Sequence, residues 1–166
     1  MEPTRDTPPH GAIIRPTPER VLFGWREWLA LPDLGIDCVR AKVDSGARSS
    51  SLHVYEQQLF QRNGRPHVRF VIMHGEHEDR RDSVEAEVTD QRVVTDSGGH
   101  RQTRVFIRTR LRLHDGTAWP IEINLTERKQ MVFPMLLGRS ALRRRCLIDP
   151  ARSYLLGPPA GTDCVQ

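Results

Sequence analysis

From residue 21 to residue 156 apolar and polar side chains alternate in short runs, the two-residue period of strands that bury one face. The clearest run is Arg104 to Leu113. Val105, Ile107, Thr109, Leu111 and Leu113 fall on one face and Arg104, Phe106, Arg108, Arg110 and Arg112 on the other, which predicts a strand with one solvated, basic face. Trp119 to Leu125 repeats the pattern with Ile121, Ile123 and Leu125, and Cys38 to Val43 sets Val39, Ala41 and Val43 against Cys38, Arg40 and Lys42. Val21 to Leu29 is rich in β-formers, and Val68 to Ile72 follows a turn signal at Asn63-Gly64. Phe133 to Leu137 is apolar, which predicts a buried strand ending at Gly138 and leading into one short helix near Ser140 to Arg145. With no heptad and no internal repeat, short strands joined by turns predict an all-β barrel or sandwich, mainly β with that one helix.

The ends of the chain break the pattern. Residues 1–20 carry Pro3, Pro8, Pro9, Pro16 and Pro18 and few large apolar side chains, so they bury too little surface to offset the entropy of ordering and read as a disordered arm. Gly157-Pro158-Pro159-Ala160-Gly161 is a stop signal, with residues 157–166 as a flexible tail. That leaves a working domain over 21–156. A chain of 166 residues with 37% hydrophobic and 28% charged residues is sized for one globular domain. No stretch approaches the length of a bilayer-spanning helix, and the N-terminus has no apolar core of a signal peptide, so a cytoplasmic protein without a membrane is expected. Cys38, Cys146 and Cys164 are odd in number and lack metal-ligand spacing, which gives no support for a disulfide framework and points to a reducing compartment. Cys146 reads as a packed core residue. The net charge of +4 is carried almost wholly by arginine, since Lys42 and Lys129 are the only lysines. Arg101, Arg104, Arg108, Arg110 and Arg112, with Arg143, Arg144 and Arg145, invite a nucleic-acid reading, yet no exposed aromatics are interleaved, and a solvated face is the simpler account.

Candidate chemistry lies at Ala41-Lys42-Val43-Asp44-Ser45-Gly46-Ala47, where an alternating strand ends in Asp-Ser-Gly. A Gly after a short hydroxyl residue lets the turn project the Asp44 carboxylate and leaves room for a substrate, with the Ser45 hydroxyl available to hold the turn. A plain Asx turn accounts for the same three residues. The second element is the apolar run into Gly138-Arg139. The pair looks like the two signature segments of retropepsin-type aspartic proteases. More closely, Ala41 to Arg48, Ser97-Gly98-Gly99, Phe133 to Arg139 and Asp149-Pro150-Ala151-Arg152-Ser153 together resemble a bacterial retropepsin-like family. It is often labelled "ATP-dependent zinc protease" and includes the protease partner of a ribosomal-protein glutamate ligase.

The resemblance implies a retropepsin-like acid-protease barrel of a single lobe that supplies one Asp and forms a homodimer. Two Asp44 carboxylates would then share a proton and activate a water against a peptide bond, with no metal, cofactor or covalent intermediate. It also implies a glycine-tipped flap, for which Asp96-Ser97-Gly98-Gly99-His100 has the composition, although a simple hairpin turn fits too. Gly138 would close the second loop of the site. Arg48, four residues past Asp44, makes an acidic peptide an attractive substrate, and a glutamate ligase or ribosomal protein a possible partner. The zinc and ATP of the family label find no motif here: there is no His-Glu-x-x-His, Cys-x-x-Cys or phosphate-binding glycine loop, and His74 and His77 read as loop residues. Two alternatives stay open, a non-catalytic adaptor of the same fold and a metal-dependent peptidase.

Overall fold

The computed structural model describes residues 19–74, 80–127 and 132–158. Among the described residues, eleven strands and one α-helical turn follow in order, with a 3-10 turn at Pro32–Leu34 between the second and third strands: β1 (Val21–Gly24), β2 (Arg26–Leu31), β3 (Ile36–Asp44), β4 (Ser50–His53), β5 (Tyr55–Arg62), β6 (Arg65–His74), β7 (Arg80–Thr95), β8 (Arg101–Arg112), β9 (Ala118–Thr126), β10 (Met135–Gly138), α1 (Arg139–Leu142) and β11 (Cys146–Asp149). Strands β2, β3, β10, β4, β9 and β8 are neighbours in that order, and β8 returns to β2 through Ala30 and Arg112, so the six close into a barrel. The all-β, single-lobe expectation holds. The barrel is filled by Leu29, Val39, Ile107, Leu111, Ile123 and Leu137, each with no exposed surface, and closure removes the sheet edges that would otherwise seek partners. Outside the barrel, β8 also pairs with the second half of β7, whose first half pairs with β6, and β6 pairs with β5.

Several sequence expectations need correction. Val21 to Leu29 is two strands rather than one run, because the chain turns at Gly24-Trp25, where a Cβ on Gly24 would lie 2.5 Å from the Arg152 carbonyl oxygen. The corner is held by Glu27, a fully buried carboxylate that accepts hydrogen bonds from the backbone N–H groups of Gly24, Leu155 and Leu156. The strand after the helix, β11, was not predicted; it pairs in parallel with β1. The helix itself is shorter than expected and ends before Arg144, whose φ of +65° no helix continues through. Its turn is pinned by the Trp119 indole N–H, which donates to the Ala141 carbonyl at 3.0 Å. The basic strand is only half solvated. Its inner face is buried as predicted, but on its outer face Arg104 and Phe106 are buried while Arg108 and Arg110 are exposed. The Arg92 guanidinium covers the Phe106 ring at 3.7 Å, and Arg104 turns into a cleft.

Cys38 is disulfide-bonded, which removes the basis on which the cysteine count pointed to a reducing compartment. Cys146 packs half-buried against the core, and burial pushes its thiol up to about 11. His77, Cys164 and residues 1–18 lie outside the described residues. Among the described residues no helix is long and apolar enough to cross a membrane.

Candidate active site

Strand β10 lies between β3, to which it runs parallel, and β4, to which it runs antiparallel. The β3 register pairs Val43 with Leu137 and Asp44 with Gly138, so the two signature segments, distant in sequence, end side by side. Only glycine fits at 138: a Cβ there would fall 2.5 Å from the carbonyl carbon and oxygen of Ser49. The Gly138 N–H donates to the Ser50 hydroxyl at 3.0 Å, which satisfies it in a dry setting.

Asp44 is half-buried at the end of β3. Its Oδ1 accepts hydrogen bonds from the N–H groups of Gly46 and Ala47, both at 3.1 Å. The Asx turn and the carboxylate at the end of β3 are therefore the same structure, with Oδ1 fixing the turn. The turn is braced from outside. Arg139 Nη1 donates to the carbonyls of Ser45 at 3.0 Å and Gly46 at 2.9 Å, while the N–H groups of Arg139 and Ser140 donate to the carbonyls of Ala47 and Arg48. Sequence reasoning placed the brace on the Ser45 hydroxyl. Ser45 instead contributes its carbonyl, and its hydroxyl makes no hydrogen bond among the described residues.

This turn opens onto a cavity of about 500 Å³. Asp44, Gly46, Ala47 and Arg48 form one wall; Val94, Thr95, Asp96 and Ser97 form another; Ser51, Arg104, Asn124 and Thr126 complete it from β4, β8 and β9. The second wall is the end of the β7–β8 hairpin. There Asp96 Oδ1 accepts from the N–H groups of Gly98 at 2.9 Å and His100 at 3.0 Å, and Gly99 supplies a φ of +82°. Of the residues singled out in the sequence, Asp44, Gly46, Arg48 and Ser97 line the cavity; Ser45, Gly98, Gly99 and Gly138 shape its two turns from outside it. Arg139, Arg104 and Asn124 were missed. Arg139 was legible as the residue after Gly138, whereas Arg104 was assigned to solvent by its alternation.

Behind Thr126, the partly buried His53 sits with Nδ1 3.2 Å from the Thr126 carbonyl oxygen, and burial lowers its pKa below the ordinary imidazole value. Among the described residues no three His, Cys, Asp or Glu side chains gather as metal ligands would, so these residues do not fit a zinc centre.

Comparison with known proteins follows the same outline. The family model described as "Retropepsin-like aspartic endopeptidase RimB" matches residues 22–159. A protein of Desulfotalea psychrophila named "Probable alpha-L-glutamate ligase" is 44% identical over 138 residues, covering 82% of this chain and 29% of that one. Its namesake in Shewanella pealeana is 39% identical over 149 residues, covering 89% and 32%. The chain thus spans about a third of the length of these curated relatives. A crystal structure of a Legionella pneumophila protein of unknown function matches with a TM-score of 0.67 at 27% identity, over 83% of this chain and 99% of that one.

Proposed function

The chain belongs to the RimB-like family of retropepsin-like aspartic endopeptidases, and from that premise we propose that it hydrolyses peptide bonds as a homodimer with one Asp44 from each subunit. The observation that carries this reading is the Asp44 turn, braced on Gly138-Arg139 and open to the cavity under the β7–β8 hairpin. A single lobe offers one such turn. Two Asp44 carboxylates brought together across a two-fold axis cannot both be ionised, so one keeps a proton. The ionised one takes a proton from water as that water attacks the scissile carbonyl; the protonated one donates to the carbonyl oxygen. Gly46 keeps the approach to Asp44 open, Ser97 with Gly98 and Gly99 forms the flap, and Gly138 seats the second loop.

We take the substrate to be an acidic chain. Arg48 lies on the cavity wall beside Asp44, and the relatives' names concern the chemistry that attaches glutamate. Those relatives are three times as long as the stretch they share with this chain, which favours a second reading as well. In it the domain is an adaptor that works with a glutamate ligase or a ribosomal protein and needs no second carboxylate.

The test is a peptidase assay on an unbiased peptide library beside the mass in solution, for wild type and Asp44→Asn. Cleavage by a dimeric wild type, lost in the variant and indifferent to a chelator, is expected. A folded monomer that cleaves nothing would overturn the endopeptidase reading in favour of the adaptor.

A further inference from the structure

Three strands set a row of side chains on the cavity side of the barrel wall. Leu136 of β10 pairs in register with Ser51 of β4, Ser51 pairs with Asn124 of β9, and Thr126, two residues on, shares the face of Asn124. All four line the cavity that holds Asp44. The Asn124 Nδ2 donates to the Ser50 carbonyl at 2.8 Å, which fixes the orientation of this buried amide and makes its Oδ1 the acceptor. Both neighbouring hydroxyls donate to that oxygen, Ser51 at 3.1 Å and Thr126 at 3.0 Å. Arg104 Nη1 is a third donor at 3.1 Å, so Oδ1 has no lone pair to spare for a ligand. A hydroxyl carries one proton and two lone pairs. The protons of Ser51 and Thr126 are both spent on Asn124, while neither oxygen accepts a hydrogen bond from any described residue. Two hydroxyls, turned into acceptors by one amide, thus stand in the wall of the cleft, and the Asp44 chemistry uses neither.

We propose that Ser51 and Thr126 are specificity-determining residues that accept a main-chain N–H of the bound peptide, and that Asn124 is the positioning residue that fixes them as acceptors. The proposal deepens the endopeptidase reading and rests on it for the identity of the cleft and its occupant. Chemistry favours an N–H at this place. A ligand oxygen brought here meets lone pairs with no proton to share, whereas an amide N–H completes a hydrogen bond that nothing else in the cleft wall supplies. Proline at the residue facing the two hydroxyls is rejected on the same ground, since it has no N–H to give.

The test measures binding apart from turnover. Labelled tetraglutamate, and analogues in which one amide N–H at a time is replaced by an ester oxygen, are titrated into Asp44→Asn protein, alone and combined with Thr126→Val, Thr126→Ser or Ser51→Ala, each checked for thermal stability and mass. At one position the ester is expected to weaken binding to the single variant about fivefold, the order of one neutral hydrogen bond. Thr126→Val and Ser51→Ala should each lower that cost, because the ester's other effects are common to all the proteins and cancel in the comparison. Thr126→Ser, which keeps the hydroxyl, should leave it as it stands. A cost that neither Thr126→Val nor Ser51→Ala lowers in folded protein overturns the proposal, as does an ester scan with no costly position or a tetraglutamate that does not bind. Failure of the endopeptidase reading looks different: wild type cleaves no peptide while the ester cost still depends on the two hydroxyls.

Discussion

The chain contains Asp-Ser-Gly twice, at Asp44-Ser45-Gly46 and Asp96-Ser97-Gly98, and both copies border the same cavity. Locally they are near twins. In each, one oxygen of the Asp carboxylate accepts two backbone N–H groups of its own turn, at 3.1 Å in the first and at 2.9 and 3.0 Å in the second. What separates them is the support. The first turn ends a strand beside Gly138 and is tied by four hydrogen bonds to residues 139 and 140. The second closes the β7–β8 hairpin and leaves the His100 side chain 85% exposed. A triplet supplies a turn; the surrounding strands decide what that turn is tied to.

The largest test of that difference exchanges the two carboxylates. Asp44→Asn should cost at least about a thousandfold in kcat/KM for peptide cleavage, whereas Asp96→Asn, whose amide oxygen can still accept from Gly98 and His100, should cost less than about tenfold. Equal losses would break the comparison, since they would make Asp96 a second catalytic carboxylate and remove the need for a homodimer. The glycines come next. Gly138→Ala drives a methyl into the Ser49 backbone and should lower unfolding free energy by about 3 kcal/mol in denaturant titration; Gly98→Ala meets the movable His100 ring and the Asp96 carboxylate at 3.1 to 3.2 Å and should cost less than about 1 kcal/mol. Arg139→Gln removes the outside brace of the first turn. It should lower kcat about tenfold with little change in KM, a pattern of misplacement rather than lost binding.

The smallest effect belongs to an aspartate outside both turns. Asp33, in the turn after β2, is bonded by Arg110 side-chain and backbone donors, which hold its carboxyl below the usual carboxylate value. A depressed folded pKa stabilises the fold above the ordinary carboxylate range, and that contribution is lost as pH falls through the depressed value. Asp33→Asn should therefore flatten the acid limb of a melting-temperature profile below about pH 4 and move the melting temperature at pH 7 by roughly one or two degrees, as suits an exposed pair.

Sequence pattern reached the parts of this molecule whose neighbours are apolar. The period-two runs of β3, β8 and β9 and the unbroken run of β10 each announce a buried face, and the two signature segments announce the turn between them. It missed parts decided by distant partners. Arg62 and Arg69 pair with Glu85, and Arg65 with Glu87, across β5, β6 and β7 while Val68, Phe70 and Ile72 turn inward. Arg104 followed a solvated period and was buried by Asn124, a partner twenty residues away. β11 is four residues, Cys146–Asp149, whose pairing depends on β1 at the other end of the domain.

Strand β7 runs for 16 residues, a span of roughly 50 Å at the rise of a β-strand. Its first half lies in the ribbon with β6, its second half carries the hairpin over the cavity, and the register shifts between Val88 and Asp90 where the two halves meet. One strand therefore belongs both to the outer ribbon and to the cavity wall, so a single backbone runs without a break from the pairing with β6 to the hairpin beside the cavity.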